Sequence, residues 1–185
     1  MKLKTPDLQE KTYKFSDLDT EAKETAIREA REDAFNYDWW QFVYEDAEQI
    51  GLKIEEFDVS YRQSIDGKLE ADVIEIIKNI KKIHGRKTNS YKLAQTWHKK
   101  LNIDLVKARI VDNEKCVLCD NDASYNNVYC EYCYEDDIKD KFKKELLQIY
   151  WQHLKDECDY LESDEAIIET IENNDYEYDE YGNRI

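Results

Sequence analysis

The segment from Ile138 to Leu161, IKDKFKKELLQIYWQHLKDECDYL, determines how the rest of this 185-residue chain is interpreted. Its apolar residues recur three or four positions apart, which is the spacing of one face of an α-helix. The residues of this stripe are Ile138, Phe142, Leu146, Ile149, Tyr150, Leu154, Cys158 and Leu161. An unbroken stripe of this length predicts the longest helix of the protein and a mostly helical fold.

Other segments repeat the helical spacing and carry helix-end signals. Asp19 or Thr20 is a predicted N-cap for a helix with an alanine-rich apolar face, and Ser163 is one for a short helix from Asp164 to Asn173. Further helices are predicted at 39–50, 73–83 and 89–101. Gly51 is a natural stop for the first of these, because glycine readily adopts the left-handed conformation that ends helices.

Extended segments are fewer and shorter. Apolar residues alternate from Leu52 to Tyr61 but change phase at Glu55-Glu56, which predicts a strand with a bulge. Asp66-Gly67 is a hairpin-type dipeptide, so a second strand is predicted from Lys68 to Ala71. The β-branched residues between Ile103 and Val111 predict another short strand. We therefore expect an α+β fold, mostly helical, with a small antiparallel sheet.

Four cysteines form the strongest chemical motif of the sequence. Cys116 and Cys119 are separated by two residues, as are Cys130 and Cys133, and ten residues lie between the pairs. Two such pairs supply the four thiolates of a tetrahedral zinc site, so we predict an inserted zinc-ribbon or zinc-knuckle module with one structural zinc per chain. The alternative is four unliganded cysteines in an aromatic patch.

These assignments divide the chain into three parts. Residues 13–111 form a helix-rich α+β part with a short hairpin, and residues 112–136 form the zinc-binding insertion. Residues 137–185 contain the long helix, the short acidic helix and an acidic tail, which we expect to pack back on the first part.

The net charge of -16 is distributed unevenly. Residues 16–58 carry a net charge of -10 and residues 156–185 carry -11, whereas residues 59–111 carry +7. An overall negative field repels phosphates and favours a basic partner or simply high solubility. The polarised distribution also leaves open that the three parts partly neutralise one another.

Carboxylates in the last part of the chain form a candidate partner-binding surface. They are Glu162, Glu165, Glu169, Glu172, Asp175, Glu177, Asp179 and Glu180. The first four fall on one predicted helical face, and no lysine stands beside them in the sequence. Such a row can imitate the charge of a nucleic-acid backbone and occupy a channel lined by Arg and Lys. The alternative is an ordinary solvated face.

Catalysis and membrane insertion find little support in the sequence. The three histidines lie far apart, and neither a metalloprotease helix motif nor a phosphate-binding glycine loop occurs, so we predict a protein that is not an enzyme. Met1 to Glu10 has no apolar region typical of a signal peptide, and no apolar run is long enough to span a membrane. A cytoplasmic location, where thiols stay reduced, is expected.

Both ends of the chain resemble a known group of proteins. The segment Lys11-Thr-Tyr-Lys-Phe-Ser-Asp-Leu-Asp-Thr-Glu-Ala-Lys-Glu-Thr-Ala-Ile-Arg-Glu-Ala30 resembles the start of small acidic proteins from phages and mobile elements. The segment Tyr160-Leu-Glu-Ser-Asp-Glu-Ala-Ile-Ile-Glu-Thr-Ile-Glu-Asn-Asn174 and the ending Tyr181-Gly-Asn-Arg-Ile185 resemble their end. Such proteins include anti-CRISPR inhibitors of Cas9-type nucleases, whose pattern lacks the four-cysteine module.

This resemblance implies an inhibitor that binds Cas9 or its guide complex in the host bacterial cell and hinders DNA binding or cleavage. A second hypothesis is a zinc-ribbon adaptor or antitoxin-like module that binds a basic partner or nucleic acid. Direct nucleic-acid contact would then use the basic residues at 78–100. They are Lys78, Lys81, Lys82, Arg86, Lys87, Lys92, Lys99 and Lys100.

Overall fold

The computed structural model describes residues 11–111, 115–116, 118–119, 121–123 and 129–185, with the backbone alone at 103–111. Its elements are β1 (Tyr13–Lys14), α1 (Thr20–Asp33), α2 (Gln41–Ile50), β2 (Leu52–Asp58), β3 (Ser64–Leu69), α3 (Val73–Ile83), α4 (Asn89–Val111), α5 (Glu131–Cys133), α6 (Asp140–Leu161), α7 (Asp164–Asn173) and β4 (Glu177–Tyr178). A 3₁₀ turn follows β1 and a π-helical turn precedes α6. The predicted α+β class is confirmed, with helices predominating over short antiparallel strands.

The chain forms two compact units whose boundaries fall at Trp39/Trp40 and Lys155/Asp156. We call residues 40–155 the central unit. The described residues 11–39 and 156–185 form the terminal unit, so the two ends of the chain fold together. These boundaries differ from the predicted ones at 111 and 136, because contacts between distant segments define the terminal unit and leave no local mark in the sequence.

In the described residues, the terminal unit is built from α1, α7, the end of α6 and a strand pair. Both predicted caps are present: the Asp19 carboxylate accepts from the Ala22 N–H at 2.9 Å, and the Ser163 hydroxyl accepts from the Ala166 N–H at 3.2 Å. Helix α1 packs on α7, and β1 pairs antiparallel with β4, with Tyr13 opposite Tyr178. The buried core residues of this unit are Leu18, Ala22, Ala26, Ile167, Ile171 and Tyr178.

The acidic tail is fixed against α1 by a tight turn. The Asp179 carboxylate accepts from the backbone N–H groups of Tyr181 and Asn183 at 2.8 and 2.9 Å. Gly182 within this turn has φ +87° and lies directly against the Ala22 carbonyl. The tail therefore forms a strand and a turn, and β4 pairs with β1 in a sheet separate from β2–β3.

A hairpin and surrounding helices build the central unit. Gly51 ends α2 with φ +92°, as predicted, and the chain then enters β2. Strand β2 pairs antiparallel with β3, and the register shifts between Ile54 and Glu56, which confirms the predicted bulge. The largest fully buried residues of this unit are Ile50, Leu52, Ile76, Ile77, Ile80, Ile138, Phe142, Leu146, Tyr150 and Leu154.

The predicted hairpin turn at Asp66-Gly67 is wrong, because both residues lie inside β3. The chain reverses earlier, where the Asp58 carboxylate accepts from the N–H groups of Ser60, Tyr61 and Arg62. These bonds, that from Tyr61 foremost, lower the pKa of Asp58. Glycine is needed at position 67 because the backbones of β2 and β3 approach closely there, and a Cβ would overlap the backbone of β2. Accordingly, β2 ends at Asp58 and the second strand runs from Ser64 to Leu69.

The predicted strand from Ile103 to Val111 is also wrong, because α4 continues through it to Val111. Extending an existing helix adds one hydrogen bond per residue without a new nucleation cost. The preference of β-branched residues for strands is small by comparison and depends on a partner strand.

No helix in the described part of the chain is long and apolar enough to cross a membrane.

Replacing Gly182 tests the turn that fixes the tail. We expect Gly182→Ala to lower the free energy of unfolding by about 2 to 4 kcal/mol, because the new Cβ overlaps a carbonyl and the backbone is left-handed. Urea-induced unfolding followed by circular dichroism measures the change. Gly85→Ala is the matched control, since among the described residues a Cβ at Gly85 would meet no atom within 4 Å beyond its own chain neighbours. Equal stability of the two variants would contradict the role of Gly182.

Candidate metal centre and acidic surface

The four predicted ligand cysteines come together in the central unit. The sulfur atoms of Cys116, Cys119, Cys130 and Cys133 all lie within 4.8 Å of one another, and the Cys119 and Cys130 sulfurs are 3.6 Å apart. Thiolates around one tetrahedral metal lie roughly 3.8 Å apart, given metal–sulfur bonds of about 2.3 Å. Three of the cysteines are buried and Cys119 is exposed. This arrangement can hold a metal ion.

Local backbone structure aims each pair of thiols at one point. In the first pair, the Cys116 N–H donates to the Asn121 carbonyl at 2.6 Å, and a bridge joins Lys115 to Asp122. In the second pair, the Cys130 sulfur accepts from the Cys133 N–H at 3.4 Å and caps the short helix α5. Each pair therefore forms a closed turn around its own sulfur atoms.

The electrostatics of the cluster favour a bound cation. Burial opposes ionisation of Cys116, but backbone N–H groups of Cys130, Leu118 and Cys119 face its sulfur and lower its pKa to about 7. The pKa of Cys133 is instead raised by a side-chain hydrogen bond with Cys119 and by burial. Four thiolates this close repel one another unless a cation neutralises them. Metal binding would therefore release protons, and metal affinity would rise with pH.

The residue after the last cysteine anchors the cluster to the central unit. The Tyr134 hydroxyl donates to Asp72 Oδ2 at 2.7 Å, while the other carboxylate oxygen of Asp72 caps α3 by accepting from the Ile74 N–H. The Tyr129 and Tyr134 rings are 6.4 Å apart. The sequence gives no sign of this connection, because Tyr134 and Asp72 are 62 positions apart.

The predicted acidic surface lies in the terminal unit, and the structure separates its members. Glu165, Glu169 and Glu172 are exposed along α7. Glu162 precedes the Ser163 cap and is outside the helix, although it is also exposed. Glu180 is exposed beyond β4. The continuous helical row of four is thus a row of three with a neighbouring carboxylate.

The predicted carboxylates in and beside β4 have side-chain partners, and on α7 Glu169 accepts a hydrogen bond from the Tyr160 hydroxyl at 3.2 Å. Lys14 Nζ lies 3.0 Å from Asp175 and 3.6 Å from Glu177, and the bond with Asp175 raises the pKa of Lys14. The sequence remark that no lysine stands nearby concerned the four glutamates of the predicted helix, whereas Asp175 and Glu177 pair with Lys14 of the other segment. Asp179 serves the tail turn, where the Asn183 amide lowers its pKa.

Two further ion pairs join the halves of the terminal unit. The Arg31 guanidinium in α1 contacts Asp164 at the start of α7. The Arg184 guanidinium in the tail lies 2.9 Å from Asp33 and 4.9 Å from the centre of the Tyr176 ring. Like the Lys14 pair, each connects residues 11–39 with residues 156–185.

A buried polar network in the central unit was not anticipated from the sequence. His84 Nδ1 lies 2.6 Å from the Ser90 hydroxyl, His84 Nε2 lies 3.4 Å from Asp46 Oδ2, and the Tyr150 hydroxyl donates to the same carboxylate oxygen. His84, followed by Tyr150, lowers the pKa of Asp46. Ser90 is only 1% exposed, so its hydroxyl is inaccessible to a substrate carbonyl in this conformation. The network joins α2, α3, α4 and α6.

Comparisons with protein-family models, curated proteins and solved structures found no match in any of the three. Function is therefore inferred from the residues of this chain itself.

Cobalt binding tests the metal centre. We expect the purified protein to bind one Co²⁺ per chain with strong thiolate-to-metal charge-transfer absorption, because the four sulfurs already converge. Cys133→Ser should abolish or strongly weaken this signal. Cys158→Ser removes a buried thiol outside the cluster and should retain it. A Cys133→Ser variant with unchanged cobalt absorption would contradict the assignment.

Proposed function

We propose that the protein is a non-enzymatic inhibitor whose acidic terminal unit occupies the basic nucleic-acid channel of a nuclease. In this proposal the central unit carries one structural zinc ion at Cys116, Cys119, Cys130 and Cys133. The nuclease is a Cas9-type CRISPR effector, and the protein is a phage-type anti-CRISPR that acts in the cytoplasm of the host bacterial cell.

The concentration of charge in one unit carries this proposal. Residues 11–39 and 156–185 contain 20 acidic and 6 basic residues, a net charge of -14. The central unit has a net charge of only -2. The two acidic ends of the sequence thus belong to one compact body, and its field is far stronger than that of two separate acidic segments.

Helix α7 presents carboxylates at a spacing suited to replacing phosphates. Glu165 and Glu169 are four positions apart and Glu169 and Glu172 are three positions apart, about 6 and 4.5 Å along the helix axis. Successive phosphates of one DNA strand advance by about 3.4 Å along the duplex axis. Basic side chains that neutralise a DNA strand can therefore meet carboxylates on α7 whose spacing is about one and a half times that of the phosphates.

The choice of a Cas9-type partner depends on the resemblance noted from the sequence. Three segments carry this resemblance, and all of them belong to the terminal unit: 11–30, 160–174 and 181–185. None of them belongs to the central unit, which contains the cysteines. This distribution supports an acidic inhibitor unit that resembles the phage proteins and is interrupted by a metal-binding unit.

Zinc is the metal that suits the cluster best. Four sulfur donors from two closely spaced cysteine pairs are typical of structural zinc sites. Such a shell leaves no open coordination position, so the ion would stabilise the cysteine segment without activating water. Neither the zinc nor its residues would contact the partner in this proposal.

A second candidate function is a zinc-ribbon adaptor or antitoxin-like module that contacts nucleic acid through the central unit. Exposed basic residues of α3, α4 and their connection favour it, among them Lys78, Lys82, Arg86 and Lys87. They lie in the same unit as the cysteine cluster.

Charge reversal on α7 tests the inhibitor proposal. The triple variant Glu165→Lys/Glu169→Lys/Glu172→Lys should weaken binding to a purified Cas9–guide complex by about tenfold or more, because each substitution replaces an attraction with a repulsion. Wild-type binding should weaken steeply with added salt and compete with target DNA. Affinity measured by biolayer interferometry at low and high salt gives both results.

Glu48→Lys/Glu56→Lys/Glu70→Lys is the matched control, since it makes the same charge change at exposed positions of the central unit. If this control weakens binding as much as the α7 variant, net charge alone explains the effect and α7 is not the contact. Binding that does not change with salt would reject nucleic-acid mimicry altogether.

A gel shift with the isolated protein separates the two candidate functions. The inhibitor proposal predicts no shift of duplex or single-stranded DNA at physiological salt, because the overall field repels phosphates. A shift abolished by Lys81→Glu/Lys82→Glu would instead establish the adaptor function.

A further inference from the structure

An apolar pocket opens between α1, α7 and the tail of the terminal unit. Its volume is about 230 Å³. Half of its ten lining residues are alanine or larger aliphatic residues, and they are Ala30, Ala34, Leu161, Ala166 and Ile167. The three alanines leave the space because their side chains end at Cβ where the two helices face each other.

The tail closes one side of this pocket with a fixed polar group. Arg184 lines the pocket, and its guanidinium is held by the Asp33 carboxylate and by the face of the Tyr176 ring. The Arg184 backbone N–H also donates to Glu29 at 3.3 Å. Since three groups position this residue, the wall that it forms is part of the folded unit.

The surroundings of the pocket indicate a protein partner with positive charge. Tyr37 lines it and is 56% exposed, and exposed tyrosines are enriched where proteins bind one another. Glu165 and Glu169 each precede a pocket-lining residue of α7 by one position. The pocket is apolar, so it suits an apolar side chain. The unit around it has a net charge of -14, so it favours a partner segment with positive charge.

The volume of the pocket limits the size of the group that can occupy it. Pockets for drug-sized ligands measure roughly 300 to 1,000 Å³, which is larger than this one. A single large side chain fits the available space, and buried aromatic anchors dominate the affinity of many protein interfaces. The flanking carboxylates would then meet basic residues on either side of that anchor.

We propose that this pocket receives one large apolar side chain, preferably aromatic, from a segment of the partner protein rich in lysine and arginine. This inference rests on the proposed function, because it assumes a basic partner of the terminal unit. It adds that electrostatic attraction brings the partner to the surface and that the anchor in the pocket fixes its position.

Two labelled peptides test the inference on the full-length protein. Both place four lysines around a central residue, which is tryptophan in one peptide and alanine in the other, and fluorescence anisotropy measures their affinities. We expect the tryptophan peptide to bind about tenfold tighter or better, which matches burial of one large apolar side chain. Both affinities should fall with added salt.

Variants that fill the pocket should remove this preference. Thr170→Trp places a large side chain at an exposed lining position, and Ala34→Phe fills the pocket from the residue that follows α1. We expect both to bind the two peptides equally, with the alanine peptide unaffected. Thr25→Trp is the matched control: Thr25 also donates to the carbonyl four residues earlier, as Thr170 does, but does not line the pocket.

The possible outcomes distinguish this inference from the proposed function. If the wild-type protein binds the two peptides with equal, salt-dependent affinity, the anchor hypothesis is rejected and the proposal of a basic partner is retained. Absence of binding to either peptide at low salt overturns both. N-acetyltryptophanamide that competes as well as the tryptophan peptide would identify a small-molecule site instead. Self-association abolished by Thr170→Trp would identify a second copy as the occupant, and either result overturns the inference.

Discussion

The terminal unit depends on the association of two chain segments that repel each other because both are negatively charged. Its net charge of -14 opposes compaction, yet residues 11–39 and 156–185 fold together. The bases Lys14, Arg31 and Arg184 each reach a carboxylate of the other segment. These pairs are partly exposed, and each is worth no more than about 1 kcal/mol.

Burial must therefore supply most of the stability of this unit. The interior is small and consists of alanines, isoleucines, Leu18 and the fully buried Tyr178. Alanines on α1 bring it close to α7, and the strand pair places Tyr178 over the core. Other alanines, Ala30, Ala34 and Ala166, line the apolar pocket farther along the two helices. Close helix packing and the pocket thus share one cause, which is the short side chains of α1 and α7.

The central unit solves a different problem, since its charges nearly balance. Its cysteine segment is joined to the helical core through Tyr134 and Asp72, and the polar network around His84 joins four helices. Buried polar groups of this kind specify one arrangement because their partners are lost if the helices shift. A metal at the cysteines would add to this order locally, whereas the acidic surface belongs to the other unit.

Local signals in the sequence predicted much of the fold. The caps at Asp19 and Ser163, the stop at Gly51 and the bulge beside Glu55 each depend on a few neighbouring residues. The cysteine spacing likewise predicted the cluster, because each pair is closed within four residues. The strand proposed at 103–111 failed since β-branched residues carry only a weak preference that an established helix overrides.

Long-range contacts could not be predicted in this way. The pairing of β1 with β4, the ion pairs of Lys14 and the Asp46–His84–Ser90 network join residues that are distant in sequence. No periodicity or spacing marks such partners in a single sequence. The acidic row was predicted from its helical spacing and its charge, but the pairing of the members near β4 depends on the same distant contacts.

The strand pair also sets the order in which the protein can fold during synthesis. Tyr13 and Tyr178 are 165 positions apart, so β1 leaves the ribosome long before β4 is made. At about 5 to 20 residues per second, the first half of the terminal unit waits roughly 10 to 30 seconds for its partner. The central unit is complete earlier and can fold meanwhile. The acidic unit is thus assembled only after the whole central unit has been translated.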